Sequence, residues 1–322
     1  MSMTLESRLE EEAPLGRRLL AEFIGAALLV AIGAGAVTVF LLGPLRELAA
    51  RTADIAQGLP PEQVQLLEAD PVIQSLLRGG AGDLVPIALA FALVYAVIVH
   101  AFGGVSGGHF NPAVTFALAA VRRFSWNEVG PYWIAQIAGG VVGALLIAGV
   151  YGQDGAAFAG SDILFGATTI AGGVSQWQAL LAEALVTFVL VTAIMAVAVD
   201  PRSPRVVSGL IIGLAMGAGI LMVGAATGAS ANFARSLGPL VASLLYETGD
   251  LPWGDLWIYA VGPLIGAAAA AFMYESVAGL ERISPAPRPG SATGSDDDAT
   301  EVEAGVVEEA TADGDPDDRF KR

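Results

Sequence analysis

The sequence predicts an all-α membrane protein: six transmembrane helices and two re-entrant half-helices, arranged as an inverted repeat. Three observations predict it. Hydrophobic residues make up 54% of the 322 and charged residues only 15%, a balance too apolar for a soluble domain of this size. Six stretches are long and apolar enough to cross a bilayer, which takes about 20 residues each. The segment after the second stretch and the segment after the fifth align without a gap.

The spans are expected at Leu19–Leu42, Leu84–Phe102, Val129–Tyr151, Trp177–Val199, Val206–Thr227 and Leu256–Gly279. The first is too long for a cleaved signal peptide and follows an acidic leader, "LESRLEEEAP". Arginines in short loops set the orientation. Arg17 and Arg18 precede the first span, Arg122 and Arg123 follow the second, Arg202 and Arg205 the fourth, and Arg282 and Arg288 the sixth. Both termini are therefore expected on the cytoplasmic side of the cell membrane, although Arg46, Arg51 and Arg78 in the first external loop weigh against this.

The expected organisation is a cytoplasmic segment over residues 1–18, a first half over 19–151 with an external insertion at 43–82, an external connection at 152–176, a second half over 177–279, and a tail from 280 to 322. Ser291–Arg322 hold 11 acids and 3 bases, half of the net charge of −16. So polar a tail is expected to be disordered. There is no cysteine, which excludes disulfides and thiol chemistry. No nucleophile–base set and no metal-ligand cluster stands out, so neither an enzyme nor a cofactor is expected, and no nucleic-acid partner.

The repeat extends beyond the two boxes. The first span opens "AEFIGAALLV" and the fourth "AEALVTFVLV", each with one glutamate, Glu22 or Glu183, near its entrance. "SGGHFNPAVT" (106–115) pairs with "TGASANFARS" (227–236), matching Asn111 to Asn232. Glu22 and Asn111 are 89 residues apart, Glu183 and Asn232 are 49 apart, and the excess of 40 equals the length of Gly43–Gly82. Each half holds three spans, an odd number, so the halves lie in opposite orientations. The insertion reads as an external surface loop with short amphipathic turns around Val64, Leu67, Val72, Ile73, Leu76 and Leu77. Small residues four apart mark the spans for close packing: Ala88, Ala92 and Ala96; Gly139 and Gly143; Gly209, Gly213 and Gly217; Gly262 and Gly266.

Asn111 is a good helix N-cap, and Pro112 sits at the first helical position, where no backbone donor is lost. Pro112–Val121 and Phe233–Ser243 are each long enough for about 15 Å of helix, half a bilayer. Two half-helices entering from opposite faces would bring two N-termini together at the midplane, each carrying roughly half a positive charge. Non-helical backbone at that depth must be buried in protein or line a wet cavity. Glu22 and Glu183 are expected to accept hydrogen bonds from the loop amides, and Asn111 and Asn232 to present amide donors to a pore. His109 and His100 are read as satisfied loop and helix-end residues.

In these residues the sequence resembles the aquaporin, or major intrinsic protein, family, most closely its archaeal members. The resemblance spans about Leu19 to Gly279 and rests on "HFNPAV", the degenerate "NFARS" and the "AEF" and "AEA" openings. It implies a homotetramer with one pore per subunit, passing water and small neutral solutes while excluding protons and ions. The two motif triplets are Asn111, Pro112, Ala113 and Asn232, Phe233, Ala234, with Phe233 where the family usually has proline. By the family pattern the outer constriction is Phe91, Ile220, Ala229 and Arg235. Strict water channels typically carry histidine at the Ile220 position, and glycerol channels Trp, Gly and Phe at Phe91, Ile220 and Ala229; neither pattern is met. Ser236 and Tyr259 lean towards water. A glycerol or small-solute facilitator is the alternative. An ion-coupled transporter is a more remote one, because Glu22 and Glu183 lie near span ends.

Overall fold

The computed structural model describes residues 13–68, 84–158 and 161–280. The helices in chain order are α1 (Leu15–Ala56), α2 (Pro61–Glu68), α3 (Leu84–Ser106), α4 (Pro112–Ala120), α5 (Trp126–Ala156), α6 (Gln176–Ile194), α7 (Ser208–Thr227), α8 (Phe233–Ser243) and α9 (Leu256–Ala278). Between α5 and α6 lies one small hairpin, β1 (Ala157–Phe158) against β2 (Ser161–Asp162). A π-helical turn, Met195–Val199, extends α6. Six of the helices, with their flanking turns, are long and apolar enough to span a membrane, at the six places where the sequence predicts spans.

The first span runs further than its apolar stretch. α1 continues through Pro44 to Ala56, because "LRELAARTADIA" is rich in good helix formers. A Glu47–Arg51 pair one turn apart lies on that extension. The early part of the expected surface loop is therefore helix, followed by α2. Val72, Ile73, Leu76 and Leu77 lie outside the described residues, as do residues 281–322.

The repeat is visible in the packing. α1 packs on α5 as α6 packs on α9, and α3 packs on α7 across the middle. Each half-helix crosses to the other half, α4 lying on α9 and α8 on α5. The small-residue ridges are the seams. A Cβ on Gly213 would sit 2.1 Å from the Ala92 carbonyl oxygen, and one on Gly143 would sit 2.3 Å from that of Ala27. The backbones approach to a distance that only glycine permits. Such contact replaces the hydrophobic effect, which is absent between helices already in lipid.

On the α6–α7 connection Asp200 is buried and is held by Arg202 and by the Tyr274 hydroxyl of α9. The hydrogen bonds from Arg202 keep the Asp200 carboxyl far below the usual carboxylate range.

Gly213→Val is expected to destabilise the protein by about 1–3 kcal/mol through overpacking. Gly130→Ala, with no atom within 4 Å of the new methyl, should be neutral or add up to about 1 kcal/mol through helix propensity. Thermal unfolding of both variants in detergent micelles checks the contrast.

Candidate functional site: two capped half-helices and a buried arginine

The site is built from the two loops that precede α4 and α8. Each doubles back through glycine-rich sequence, and its backbone N–H groups point away from any helix ladder. In the first loop Glu22 of α1, fully buried, accepts from the Ser106 hydroxyl at 2.6 Å, from the His109 N–H at 2.9 Å and from the Phe110 N–H at 2.6 Å. In the second, Glu183 of α6 accepts from the Thr227 hydroxyl at 2.7 Å and from the N–H groups of Ser230 at 3.0 Å and Ala231 at 2.9 Å. The two sets are in register with the sequence repeat. Tyr132 and Tyr259 complete the likeness, each donating its hydroxyl at 2.9 Å to the carbonyl of Ser106 or Thr227. Both carboxylates thus accept from loop amides, and neither forms an ion pair with Arg235 among the described residues.

The residue before each asparagine is left-handed, Phe110 at φ 50° and Ala231 at φ 53°. That costs of order 1–3 kcal/mol per non-glycine residue, and it turns each carbonyl towards the opposite loop. The asparagines use it. Asn111 accepts from the Ala113 N–H at 2.9 Å and donates its side-chain amide to the Ala231 carbonyl at 2.7 Å. Asn232 accepts from the Ala234 N–H at 3.0 Å and donates to the Phe110 carbonyl at 2.9 Å. Each side chain therefore caps its own half-helix and cross-links to the other half. An amide nitrogen carries two hydrogens, so one donor per asparagine remains beyond the cross-link.

Phe233 does not disturb the cap. Asn232 has φ −156° and ψ 113°, close to the −153° and 122° of Asn111, which precedes a proline. The phenylalanine and Pro112 line an apolar cavity of about 160 Å³ between α5 and α9, together with Trp133, Ala260, Pro263 and Leu264. Trp133 donates its indole N–H to the Pro112 carbonyl at 3.0 Å. The ring at 233 therefore sits among the outer helices.

Arg235, one turn into α8, is 1% exposed. Its guanidinium carbon lies 5.4 Å from the centre of the Phe91 ring, a cation–π distance. Its Nη1 donates to the Gly166 carbonyl at 2.7 Å, and its Nε has no protein partner. Ile220 and Ala229 are buried in the same apolar cluster as Phe91. On the other side of the asparagines, His109 is buried; its Nδ1 lies 3.0 Å from the Thr115 hydroxyl and its ring packs on Phe124 and Tyr132. It borders a cavity of about 280 Å³ with Val99, Val114, Arg123 and Ile212. His100 bridges the carbonyls of Ala96 and Val206.

Three features escape the sequence reading. Tyr95, one turn along α3 from Phe91, is buried with its hydroxyl beside the side chains of both asparagines; its i, i+4 spacing from Phe91 was the available signal. Gly166 supplies the carbonyl for Arg235 from a loop with no motif. Thr168, Ser236 and Ser230 form a hydroxyl chain, with oxygens 2.7 and 2.6 Å apart, that ties that loop to the second box.

Two opposed half-helices, joined through asparagine caps inside a six-span bundle, define a membrane channel built on an inverted repeat. A family model described as major intrinsic protein matches residues 10–274. The chain is 38% identical over 261 residues to "Aquaporin AqpM" of Methanothermobacter marburgensis, covering 81% of this chain and 97% of that protein. It is 37% identical over 261 residues to "Aquaporin AqpM" of Methanothermobacter thermautotrophicus, again 81% and 97%. In fold it is similar to the aquaglyceroporin of Plasmodium falciparum, at a TM-score of 0.60 and 21% identity over 82% of this chain and 97% of that one. The chain belongs to the major intrinsic protein family. It is a passive channel for water and small neutral solutes, and glycerol facilitation as a main role is not favoured.

Phe233→Pro should leave transport intact, because the cap does not depend on the ring. It enlarges the α5–α9 cavity and is expected to cost up to about 3 kcal/mol. Water permeability of proteoliposomes and the unfolding temperature of the variant check the two halves of this expectation.

Proposed function

We propose that the pore passes between Asn111 and Asn232 and through a constriction of Phe91, Ile220, Ala229 and Arg235, conducting water fast, small neutral solutes slowly, and protons and ions not at all. The observation that carries this reading is the crossed pair of asparagine hydrogen bonds, which brings two positive helix ends and a second amide N–H of each asparagine to one point, beside the Tyr95 hydroxyl. A water there gives its oxygen to the amides and turns its own hydrogens away from both. A proton-conducting water wire is interrupted, and the helix ends repel hydronium and other cations.

At the constriction Arg235 supplies a fixed charge and an Nε–H without a protein acceptor. Ile220 opposite offers no hydrogen bond, so passing water has fewer partners there than beside a histidine. Phe91 limits the width. The protein works in this reading as a homotetramer in the plasma membrane, both termini cytoplasmic, with the α5–α6 connection on the outer side.

Asn232→Asp keeps a good cap but removes the amide donor and adds negative charge beside two positive helix ends. Cation leak or blocked water flux is expected in proteoliposomes. Unchanged water permeability with intact cation exclusion would remove Asn232 from the pore.

Ile220→His should lower glycerol flux while water flux persists, and Ile220→Gly should raise glycerol flux. Stopped-flow shrinkage against the two osmolytes reads both. A wild-type protein that excludes every solute larger than water, together with a silent Ile220→Gly, would refute the constriction.

A further inference from the structure

The connection between α5 and α6 contains a short segment that pays no evident local dividend. Leu164, Phe165 and Gly166 are all left-handed, at φ 50°, 50° and 73°. Only glycine adopts that region readily, and two side-chain-bearing residues in succession there is unusual. Such strain persists where the surroundings over-determine it, and it concentrates at functional positions.

The surroundings do over-determine it. Phe165 is completely buried, in a cluster with Val30, Ala34, Ile147 and Ala242. Its ring meets Tyr246 edge to face at 5.1 Å, and Tyr246 is itself tied to the Ala148 carbonyl at 3.2 Å. Gly166 is pressed so close to α1 that a Cβ would lie 2.2 Å from the Ala34 carbonyl oxygen. Next in the chain, Thr168 joins the hydroxyl chain to Ser236, the residue after Arg235. The contorted turn also directs the Gly166 carbonyl to Nη1 of Arg235, at 2.7 Å. With the Phe91 ring on another side, that carbonyl fixes where a long, rotamer-rich side chain lies. Without it, the guanidinium would keep its charge and lose its position.

We propose that Phe165 is a positioning residue for selectivity: its anchored ring holds the left-handed turn that aims the Gly166 carbonyl at Arg235, and so sets the opening beside Ile220. The inference rests on reading Arg235 as the wall of the constriction. A ring that merely fills the core would affect folding and scale all fluxes together. A ring that positions Arg235 changes the ratio of solute flux to water flux, and does so only while Arg235 is present.

The test uses the full chain in proteoliposomes, with stopped-flow water and glycerol permeabilities and an unfolding temperature for each variant. Phe165→Ala is expected to raise the glycerol-to-water ratio severalfold with water flux little changed. Phe165→Leu, which still fills the pocket, should stay near the wild-type ratio. In an Arg235→Ala background, Phe165→Ala should add nothing. An unchanged ratio in Phe165→Ala, or the same rise in the Arg235→Ala background, overturns the positioning role. If Arg235→Ala alone leaves the ratio unchanged, the constriction reading fails instead. Should Phe165→Ala not fold, Tyr246→Ala removes the ring's neighbour and is expected to raise the ratio in the same way. If neither variant folds, the ring serves folding and the proposal is wrong.

Discussion

Backbone that leaves a helix inside a bilayer has no water to turn to, and each unsatisfied N–H costs several kcal/mol. In this protein two buried carboxylates meet that demand. Glu22 and Glu183 each accept two successive backbone N–H groups and one hydroxyl from a re-entrant loop. The second residue of each pair, Phe110 or Ala231, is left-handed, and its carbonyl accepts from the asparagine of the opposite loop. The asparagine amides then have acceptors, and the half-helices gain a fixed mutual register. The mutual register of the half-helices thus follows from how two carboxylates satisfy four backbone donors.

The Arg235 side chain is held by a different logic. Nothing in α8 alone fixes the Arg235 side chain. Its position comes from α3, through Phe91, and from the α5–α6 connection, through Gly166. The position of a buried charge therefore depends on the packing around it. The same division explains why Phe233 is tolerated. The residue lies on the far side of the half-helix, among Trp133, Ala260 and Leu264, where shape matters more than a fixed φ.

Much of this was legible in the sequence because the membrane simplifies the code. A span must be long and apolar, and a glutamate, an asparagine or an arginine within one stands out against it. The in-register pairs Ser106 with Thr227 and Asn111 with Asn232 made the inverted repeat readable, and the Ala88–Ala92–Ala96 and Gly209–Gly213–Gly217 ridges stood out as close-packing surfaces, though only the fold shows that they meet each other. What escaped detection lacked that contrast. The run of α1 from Gly43 to Ala56 is polar enough to pass for loop, since helix propensity is a weak signal beside hydropathy. Tyr95 looked like one more aromatic in an apolar helix. Gly166 acts through its carbonyl, which every residue has, so only the fold could show it.

The crossed asparagine bonds also bear on biosynthesis. Asn111 donates to a carbonyl 120 residues further along the chain, and the Phe110 carbonyl accepts from an asparagine 122 residues away. While the chain emerges from the ribosome N-terminus first, the first half-helix can cap itself but has no partner to lock against. It must wait, inserted and incomplete, until the fifth span has entered the membrane and the second loop has folded back. A translation product stopped before residue 232 would hold one self-capped half-helix with nothing to lock against. The crossed asparagine lock is therefore among the last contacts to form during synthesis.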